Sequence, residues 1–127
     1  MRPPFKTLIV EDSSNFRKIL KMNLIDRFPF IAIDEAADGQ EALKKLTASV
    51  PDLILMDIEL PGTDGLELTK SIRAVHGNIN IVILTSHSDH AHIEAAFECG
   101  ADAFFTKGLS SLEKIATVVD TLMTSKR

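Results

Sequence analysis

Short apolar runs alternate with amphipathic stretches along the whole chain. Four of the runs are almost continuously apolar, which is typical of parallel strands that are covered by helices on both faces. The second run along the chain mixes apolar and acidic residues, so it is expected nearer an edge of the sheet. The predicted strands are Thr7–Val10, Ile31–Ala36, Leu53–Met56, Ile81–Leu84 and Ala103–Phe105.

Between these runs the apolar residues recur at helical spacing, and each stripe is interpreted as the core face of a helix. Asp38 with Glu41 and Ser110 with Glu113 have capping-box spacing, Asp64 is a cap for the third helix, and Gly100 ends the fourth. Strands and helices in alternation predict a (βα)5 chain, which right-handed crossovers fold into a doubly wound, three-layer α/β/α sandwich with a five-stranded parallel sheet. The stripes are Phe16, Ile19, Leu20 and Leu24; Ala42, Leu43 and Leu46; Leu68, Ile72 and Val75; Ile93, Ala96 and Phe97; and Leu112, Ile115, Ala116, Val119 and Met123.

The composition favours one ordinary globular domain over residues 1–127, since 45% of the residues are hydrophobic and 25% are charged. One cysteine, Cys99, excludes an internal disulfide and a cysteine-based zinc site. The chain has no apolar run long enough for a membrane span and no secretory signal, so we expect a cytoplasmic protein with no membrane partner. Because the net charge is −4, we expect that this chain does not bind nucleic acid directly.

Charged and hydroxyl side chains follow four of the predicted strands at the point where each strand ends. Glu11 and Asp12 follow the first, Asp57 the third, Thr85 the fourth and Lys107 the fifth. Parallel strands end at one edge of a sheet, where open α/β folds bind ligands. Three carboxylates brought together favour a hard divalent cation, Mg²⁺ first and Mn²⁺ as an alternative. The set predicts a metal-assisted phosphoryl site with Asp57 as the acceptor.

Five motifs carry a family resemblance. They are Leu-Ile-Val-Glu11-Asp12, Ala-Asp-Gly39-Gln-Glu41-Ala-Leu, Asp52-Leu-Ile-Leu-Met-Asp57-Ile-Glu-Leu-Pro61-Gly62-Thr-Asp64-Gly65-Leu, Ile-Leu-Thr85-Ser and Gly100-Ala-Asp-Ala-Phe-Phe-Thr-Lys107. From Lys6 to about Met123 the chain resembles the receiver domain of two-component response regulators, the CheY-like superfamily. The resemblance implies a flavodoxin-like strand order of 2-1-3-4-5.

The resemblance also implies a function for individual residues. Asp57 would accept a phosphoryl group from a histidine kinase or phosphotransfer protein, and Glu11, Asp12, Asp57 and the backbone carbonyl of Glu59 would hold the Mg²⁺. Lys107 would bind a phosphoryl oxygen. Such a chain is a signalling switch and not an enzyme, apart from catalysing the phosphorylation and dephosphorylation of its own aspartate.

Further residues are assigned to the switch by the same resemblance. Thr85 and Phe104 would move on activation and change the partner-binding surface formed by the fourth helix, the fifth strand and the fifth helix. Glu59 and His87 flank the site; an acidic Glu59 side chain is expected near attacking water, with simple exposure to solvent as the alternative. Gly108 stands where many relatives have proline, so whether the Lys107–Gly108 peptide is cis stays open.

Other functions are compatible with parts of the pattern. An aspartate-nucleophile phosphatase needs a second aspartate two residues after the nucleophile, where this chain has Glu59. A nucleotide-binding module needs a glycine-rich loop after the first strand, which is absent. A receiver that is never phosphorylated is the third alternative. Because the chain ends just after the predicted fifth helix, the output is expected through a downstream protein target or a missing effector domain, such as a helix-turn-helix, and homodimerisation is left open.

Overall fold

Strands and helices alternate along the chain, as the apolar pattern predicts. The computed structural model describes residues 4–86 and 89–125, apart from the side chains of residues 109 and 110. The strands in the described residues are β1 (Phe5–Val10), β2 (Ile31–Ala36), β3 (Leu53–Asp57), β4 (Glu59–Leu60), β5 (Thr63–Asp64), β6 (Asn80–Thr85) and β7 (Ala103–Thr106). The helices are α1 (Ser14–Arg27), α2 (Gly39–Ala48), α3 (Gly65–Val75), α4 (His90–Glu98) and α5 (Leu109–Ser125).

Five of these strands form one parallel sheet in the order β2-β1-β3-β6-β7. This order is the 2-1-3-4-5 order that the resemblance implies, so the fold class is confirmed. Each predicted strand lies within two residues of its observed bounds. The mixed strand β2 is at an edge of the sheet, as expected. The central strand β3 is buried over its whole length.

Two apolar layers separate the sheet from the helices. Alternate residues of the strands point to opposite faces, so successive residues such as Ile54 and Leu55 belong to different layers. One layer packs the sheet against α1 and α5, and the other packs it against α2, α3 and α4. Burying a side chain of the size of Leu20 or Leu24 contributes roughly 1.5–3 kcal/mol. These contacts establish the three-layer sandwich.

Five residues of the predicted helical stripes do not belong to the core: four are exposed, and Ile93 is half-buried but part of neither apolar layer. Ile19, Leu43, Val75 and Phe97 are exposed, so the prediction that every stripe residue is a core residue was wrong for them. Each lies within three residues of a buried position on the same helix, at the margin of the face that meets the sheet. A helix resting on a flat sheet buries only the middle of its apolar stripe, which leaves such marginal residues in contact with solvent.

The predicted helix ends are correct in three of four places. Asp38 Oδ1 accepts from the backbone N–H of Glu41 at 2.8 Å, and Asp64 Oδ1 accepts from that of Leu66 at 2.9 Å. Gly100 follows α4 with a φ of +107°, the left-handed conformation that glycine adopts without strain. The cap predicted at Ser110 was wrong, because α5 already begins at Leu109.

A short antiparallel hairpin, β4 with β5, follows the central strand and was not predicted. It pairs Glu59 with Asp64, so the chain returns at once to the start of α3. The N–H of Gly65 donates to the carbonyl of Ile58 at 3.1 Å, and a Cβ at this position would lie 2.3 Å from the Ile58 Cα. Only glycine permits this approach, which fixes the loop directly after Asp57.

Two further backbone features bear on the expectations from sequence. None of the peptide bonds in residues 4–86 and 89–125 is cis, so the Lys107–Gly108 peptide is trans. Across the same residues, no helix has both the length and the apolar character that crossing a membrane demands.

Candidate functional site: an acidic cluster at the carboxyl edge of the sheet

Three carboxylates meet where β1 and β3 end. These strands are neighbours in the sheet, so Glu11 and Asp12, which follow β1, lie beside Asp57 at the end of β3. One oxygen from each of the three lies within 4.8 Å of the others. Glu11 and Asp57 are buried, whereas Asp12 is exposed and leaves the cluster open to solvent. The structure thus brings together the acidic residues that the strand ends suggested.

Lys107 joins two members of this cluster. Its Nζ lies 2.7 Å from Asp57 Oδ2 and 2.5 Å from Glu11 Oε1. The ammonium also lies 5.2 Å from the centre of the Phe16 ring, a distance suitable for a cation–π contact. The backbone places it, since the Lys107 N–H donates to the carbonyl of Thr85 at 2.8 Å where β6 and β7 end. Lys107 therefore meets the carboxylates from a third strand.

The Asp57 carboxylate is held at both oxygens. Lys107 contacts Oδ2, and the backbone N–H of Glu59 donates to Oδ1 at 2.9 Å. The second bond closes a tight turn immediately after β3. A buried carboxylate with one donor on each oxygen has a fixed orientation, which suits an attacking group in a displacement reaction.

Burial and charge act in opposite directions on Glu11 and Lys107. The pKa of Glu11 is raised, because burial outweighs the hydrogen bonds from Lys107 and from the backbone N–H of Ser13. Burial lowers the pKa of Lys107, but its hydrogen bonds to Asp57 and Glu11 outweigh burial, and the pKa is raised overall. Lys107 therefore stays a cation at neutral pH.

The donor set fits a hard divalent cation. Three carboxylates and one ammonium leave a formal charge of −2 at the cluster when all are ionised. Carboxylate oxygens are the ligands that such cations prefer, and one or two carboxylates with several waters is the usual arrangement for Mg²⁺. The cluster of Glu11, Asp12 and Asp57 could thus hold a metal ion.

Thr85 and Glu59 contact each other beside Asp57. The Thr85 side chain is fully buried, and its Oγ1 donates to Glu59 Oε1 at 3.3 Å. The Glu59 carboxylate had been expected either near attacking water or in solvent. Glu59 is exposed, yet its Oε1 accepts the hydrogen bond from Thr85, the residue that the resemblance assigns to the switch.

Two more residues were assigned by the resemblance, Phe104 to the switch and His87 to a position that flanks the site. Phe104 is half-buried and packs on the apolar layer between the sheet and α2, α3 and α4. In β7 it pairs with Ile83 of β6, two residues before the end of each strand. His87, which was expected to flank the site, lies outside the described residues.

Three charged residues that the sequence did not single out, Arg17, Lys21 and Glu35, form a set of contacts that ends on the backbone carbonyl of Glu11. The Arg17 Nη1 donates to the backbone carbonyl of Glu11 at 2.6 Å, and its Nε contacts Glu35 Oε1 at 3.0 Å. Lys21 Nζ contacts the other Glu35 oxygen at 3.0 Å. The hydrogen bonds from Lys21 and then Arg17 lower the pKa of Glu35, outweighing its burial. Two basic residues four apart on a helix and an acidic residue in the next strand were the available signal.

Comparisons with known proteins identify the family. The family model for the response regulator receiver domain matches residues 7–120. The transcriptional regulatory protein ResD of Bacillus subtilis is 38% identical over 89% of this chain and 46% of its own length. The chemotaxis protein CheY of Halobacterium salinarum is 32% identical over 92% of this chain and 96% of its own length.

A solved structure shares the fold along almost the whole chain. The two-component response regulator of the LuxR family from Aurantimonas superposes with a TM-score of 0.83 and 34% identity, covering 95% of this chain and 86% of that one. The chain spans about half the length of several of the curated relatives that it matches. With the family model matching most of its residues, the chain belongs to the response regulator receiver domain family of two-component systems.

Proposed function

We propose that this chain is a phosphoacceptor switch in which Asp57 receives a phosphoryl group from a histidine kinase or phosphotransfer protein. The observation that carries the proposal is the position of the Lys107 ammonium, which contacts Asp57 and Glu11 while Asp12 lies within reach of both. One acceptor carboxylate is thus surrounded by the charges that phosphoryl transfer requires.

The transfer is a displacement at phosphorus. An oxygen of Asp57 forms the new O–P bond, the P–N bond of the donor phosphohistidine breaks, and the electron pair stays on the imidazole nitrogen, which takes up a proton. Lys107 then exchanges Asp57 Oδ2 for a phosphoryl oxygen, since it carries a positive charge and already lies at the acceptor. The catalytic contribution of this chain is limited to the phosphorylation and dephosphorylation of its own aspartate.

The cation proposed for the site is Mg²⁺, with Mn²⁺ able to replace it. Glu11, Asp12, Asp57 and the backbone carbonyl of Glu59 would hold it, and it would supply charge neutralisation between the acceptor and the phosphoryl oxygens. The formal charge of −2 at the cluster supports a divalent ion.

The output is a change in the surface that binds the partner. A phosphoryl oxygen attracts the Thr85 hydroxyl away from Glu59, and Phe104 repacks into the space near β6 and β7. A switch of this kind requires that the partner bind the two states differently. The chain acts as one receiver unit, and the partner is either a downstream protein or an effector domain, with a second copy of the chain as a further candidate.

The test is phosphorylation followed by intact mass. The full chain is incubated with Mg²⁺ and acetyl phosphate, and the wild type is expected to gain the mass of one phosphoryl group. Asp57→Asn is expected to gain none. Asp26→Asn, which changes an exposed aspartate on α1, is the matched control and is expected to behave as the wild type. An adduct that survives Asp57→Asn, or a wild type that gains none, would overturn the proposal.

A further inference from the structure

A relay of charged side chains runs from the edge strand to the backbone beside the acidic cluster. Lys21 Nζ contacts Glu35 Oε2 at 3.0 Å, Glu35 Oε1 contacts Arg17 Nε at 3.0 Å, and Arg17 Nη1 donates to the Glu11 carbonyl at 2.6 Å. The Arg17 side chain is only 19% exposed. The relay ends on the peptide that joins Glu11 to Asp12.

That peptide is held firmly on its Glu11 side. The Glu11 N–H donates to the carbonyl of Ala36 at 2.9 Å. The Glu11 carboxylate accepts a hydrogen bond from the backbone N–H of Ser13 and forms an ion pair with the Lys107 ammonium. Among the described residues, the Arg17 guanidinium is the group that donates a hydrogen bond to the Glu11 carbonyl, so this bond sets the rotation of the peptide plane. Asp12 begins at the other end of this plane, and its side chain is exposed, so its direction depends on the backbone more than on packing.

The chemistry of arginine suits this role. A guanidinium presents its donors in a rigid plane, so the position of Nε on Glu35 fixes the direction of Nη1. Glu35 also balances a positive charge that would otherwise lie close to a cation site. An ammonium in the place of Arg17 could not make both contacts with the same fixed geometry.

We propose that Arg17 is a positioning residue for the cation site, and that Glu35 both orients Arg17 and neutralises its charge. The inference rests on the proposed function, since it concerns the cation that Glu11, Asp12 and Asp57 would hold. It assigns a role to residues that lie outside the acceptor, metal and switch positions. Charge and positioning predict opposite results for the removal of Arg17. On charge alone a cation would bind more tightly, whereas loss of positioning makes it bind more weakly.

The experiment measures cation affinity directly. The full chain is titrated with Mn²⁺, free Mn²⁺ is followed by electron paramagnetic resonance, and Mg²⁺ affinity is obtained by competition. Arg17→Gln is expected to raise the dissociation constant about tenfold, the lower end of the effect of outer contacts at metal sites. Glu35→Gln is expected to raise it as well. The double variant is expected to be no weaker than the worse single variant, because both residues act through one contact.

The matched control is Lys18→Gln, which removes the same charge from the next residue of α1, where the side chain is exposed. Thermal unfolding is measured twice, once in EDTA and once in saturating Mn²⁺, to distinguish an effect of Arg17 on folding from an effect on the cation site. A merely structural role lowers both midpoints equally, whereas the proposed role reduces the gain that Mn²⁺ gives. If Arg17→Gln does not fold, Arg17→Lys keeps the charge without the rigid fork and is expected to bind Mn²⁺ several-fold more weakly.

Two sets of results distinguish the possible failures. This inference would be overturned if Arg17→Gln and Lys18→Gln bound Mn²⁺ with equal affinity, or if Arg17→Gln bound it more tightly than the wild type. If Arg17→Lys is the variant used, Mn²⁺ affinity equal to that of the wild type would overturn it. Wild-type binding that Asp12→Asn does not weaken would instead show that the proposed cation site is wrong. Weakening by both Asp12→Asn and Arg17→Gln, with Lys18→Gln unchanged, supports both.

Discussion

The Thr85 hydroxyl donates to the Glu59 carboxylate, with Oγ1 3.3 Å from Oε1. A threonine hydroxyl has one proton to donate, so this bond competes with any bond from Thr85 to a phosphoryl oxygen on Asp57. The side chain of Glu59 therefore stabilises the unphosphorylated arrangement, although Thr85 is part of the buried floor of the site and Glu59 is exposed.

Replacing Glu59 with alanine is expected to lengthen the lifetime of the phosphoryl group. The long, half-buried hydrogen bond is worth about 0.5–1 kcal/mol, so the lifetime is expected to increase roughly two- to fivefold. Removing the carboxylate also removes a polar group that can bind the attacking water. The measurement is the decay of the phosphorylated mass after the phosphodonor is removed. Glu94→Ala, at an exposed position on α4, is the control. A shorter lifetime in Glu59→Ala would contradict the competition.

Replacing Lys107 with methionine is expected to change two properties in opposite directions. The formal charge of the cluster becomes more negative, so Mn²⁺ is expected to bind more tightly. The rate of adduct formation is expected to fall about 10- to 100-fold, since a hydrogen bond to a charged group is worth about 1.5–3 kcal/mol.

The two effects of Lys107→Met are measured by Mn²⁺ titration and by adduct formation at saturating cation. Lys114→Met removes one exposed charge from α5 and is expected to alter neither. Weaker Mn²⁺ binding by Lys107→Met would show that the ammonium supports the cation site instead of competing with it.

The strand-end residues were predictable because two simple regularities place them. A buried apolar run predicts a strand, and parallel strands end at one edge, so Asp57 and Lys107 were expected to be neighbours although they are distant in sequence. The close contact at 2.7 Å confirms their proximity. Exposed positions such as Ile19 were misjudged, because periodicity gives the direction of a stripe but not how wide a band the sheet covers.

The relay through Arg17 and Glu35 could not be predicted in the same way. Its contacts depend on how far α1 is rotated over the edge of the sheet, which a single sequence does not specify. The hairpin after β3 was missed for a different reason, because strands of two residues carry no periodicity. At Ser110 the capping-box spacing matched by coincidence, since Ser111 already bonds back to Gly108 within the first turn of α5.

The raised pKa of Glu11 has a consequence for stability without metal. A carboxyl whose pKa is higher in the folded state than in the unfolded state stabilises the fold when protonated. That contribution is present below its ordinary value of 4.5 and is lost as the pH rises through the raised value. The metal-free protein is therefore expected to lose this contribution between acidic and neutral pH.

Glu11→Gln tests this dependence. In EDTA the free energy of unfolding of Glu11→Gln, relative to that of the wild type, is expected to rise from pH 4 to pH 7, because only the wild type must ionise a buried carboxyl. Urea denaturation at each pH gives the comparison. Saturating Mg²⁺ is expected to stabilise the wild type more than the variant at pH 7. A constant difference across this range would show that Glu11 ionisation does not affect folding.

Gly65 connects the start of α3 to the loop that positions the acceptor. A Cβ there would lie 2.3 Å from the Ile58 Cα, a backbone atom that cannot move away without shifting the residue after Asp57. Gly65→Ala is expected to lower the free energy of unfolding by about 2–3 kcal/mol, the cost of overpacking a tight site, and to weaken Mn²⁺ binding.

Gly77→Ala is the matched control, since nothing lies within 4 Å of an added Cβ and the backbone is not left-handed. It is expected to leave Mn²⁺ affinity unchanged and to change the free energy of unfolding by no more than about 1 kcal/mol, in the stabilising direction. Urea denaturation and Mn²⁺ titration of both variants test the pair. If Gly65→Ala were as stable as Gly77→Ala and bound Mn²⁺ equally well, the contact with Ile58 would not be what holds the acceptor loop in place.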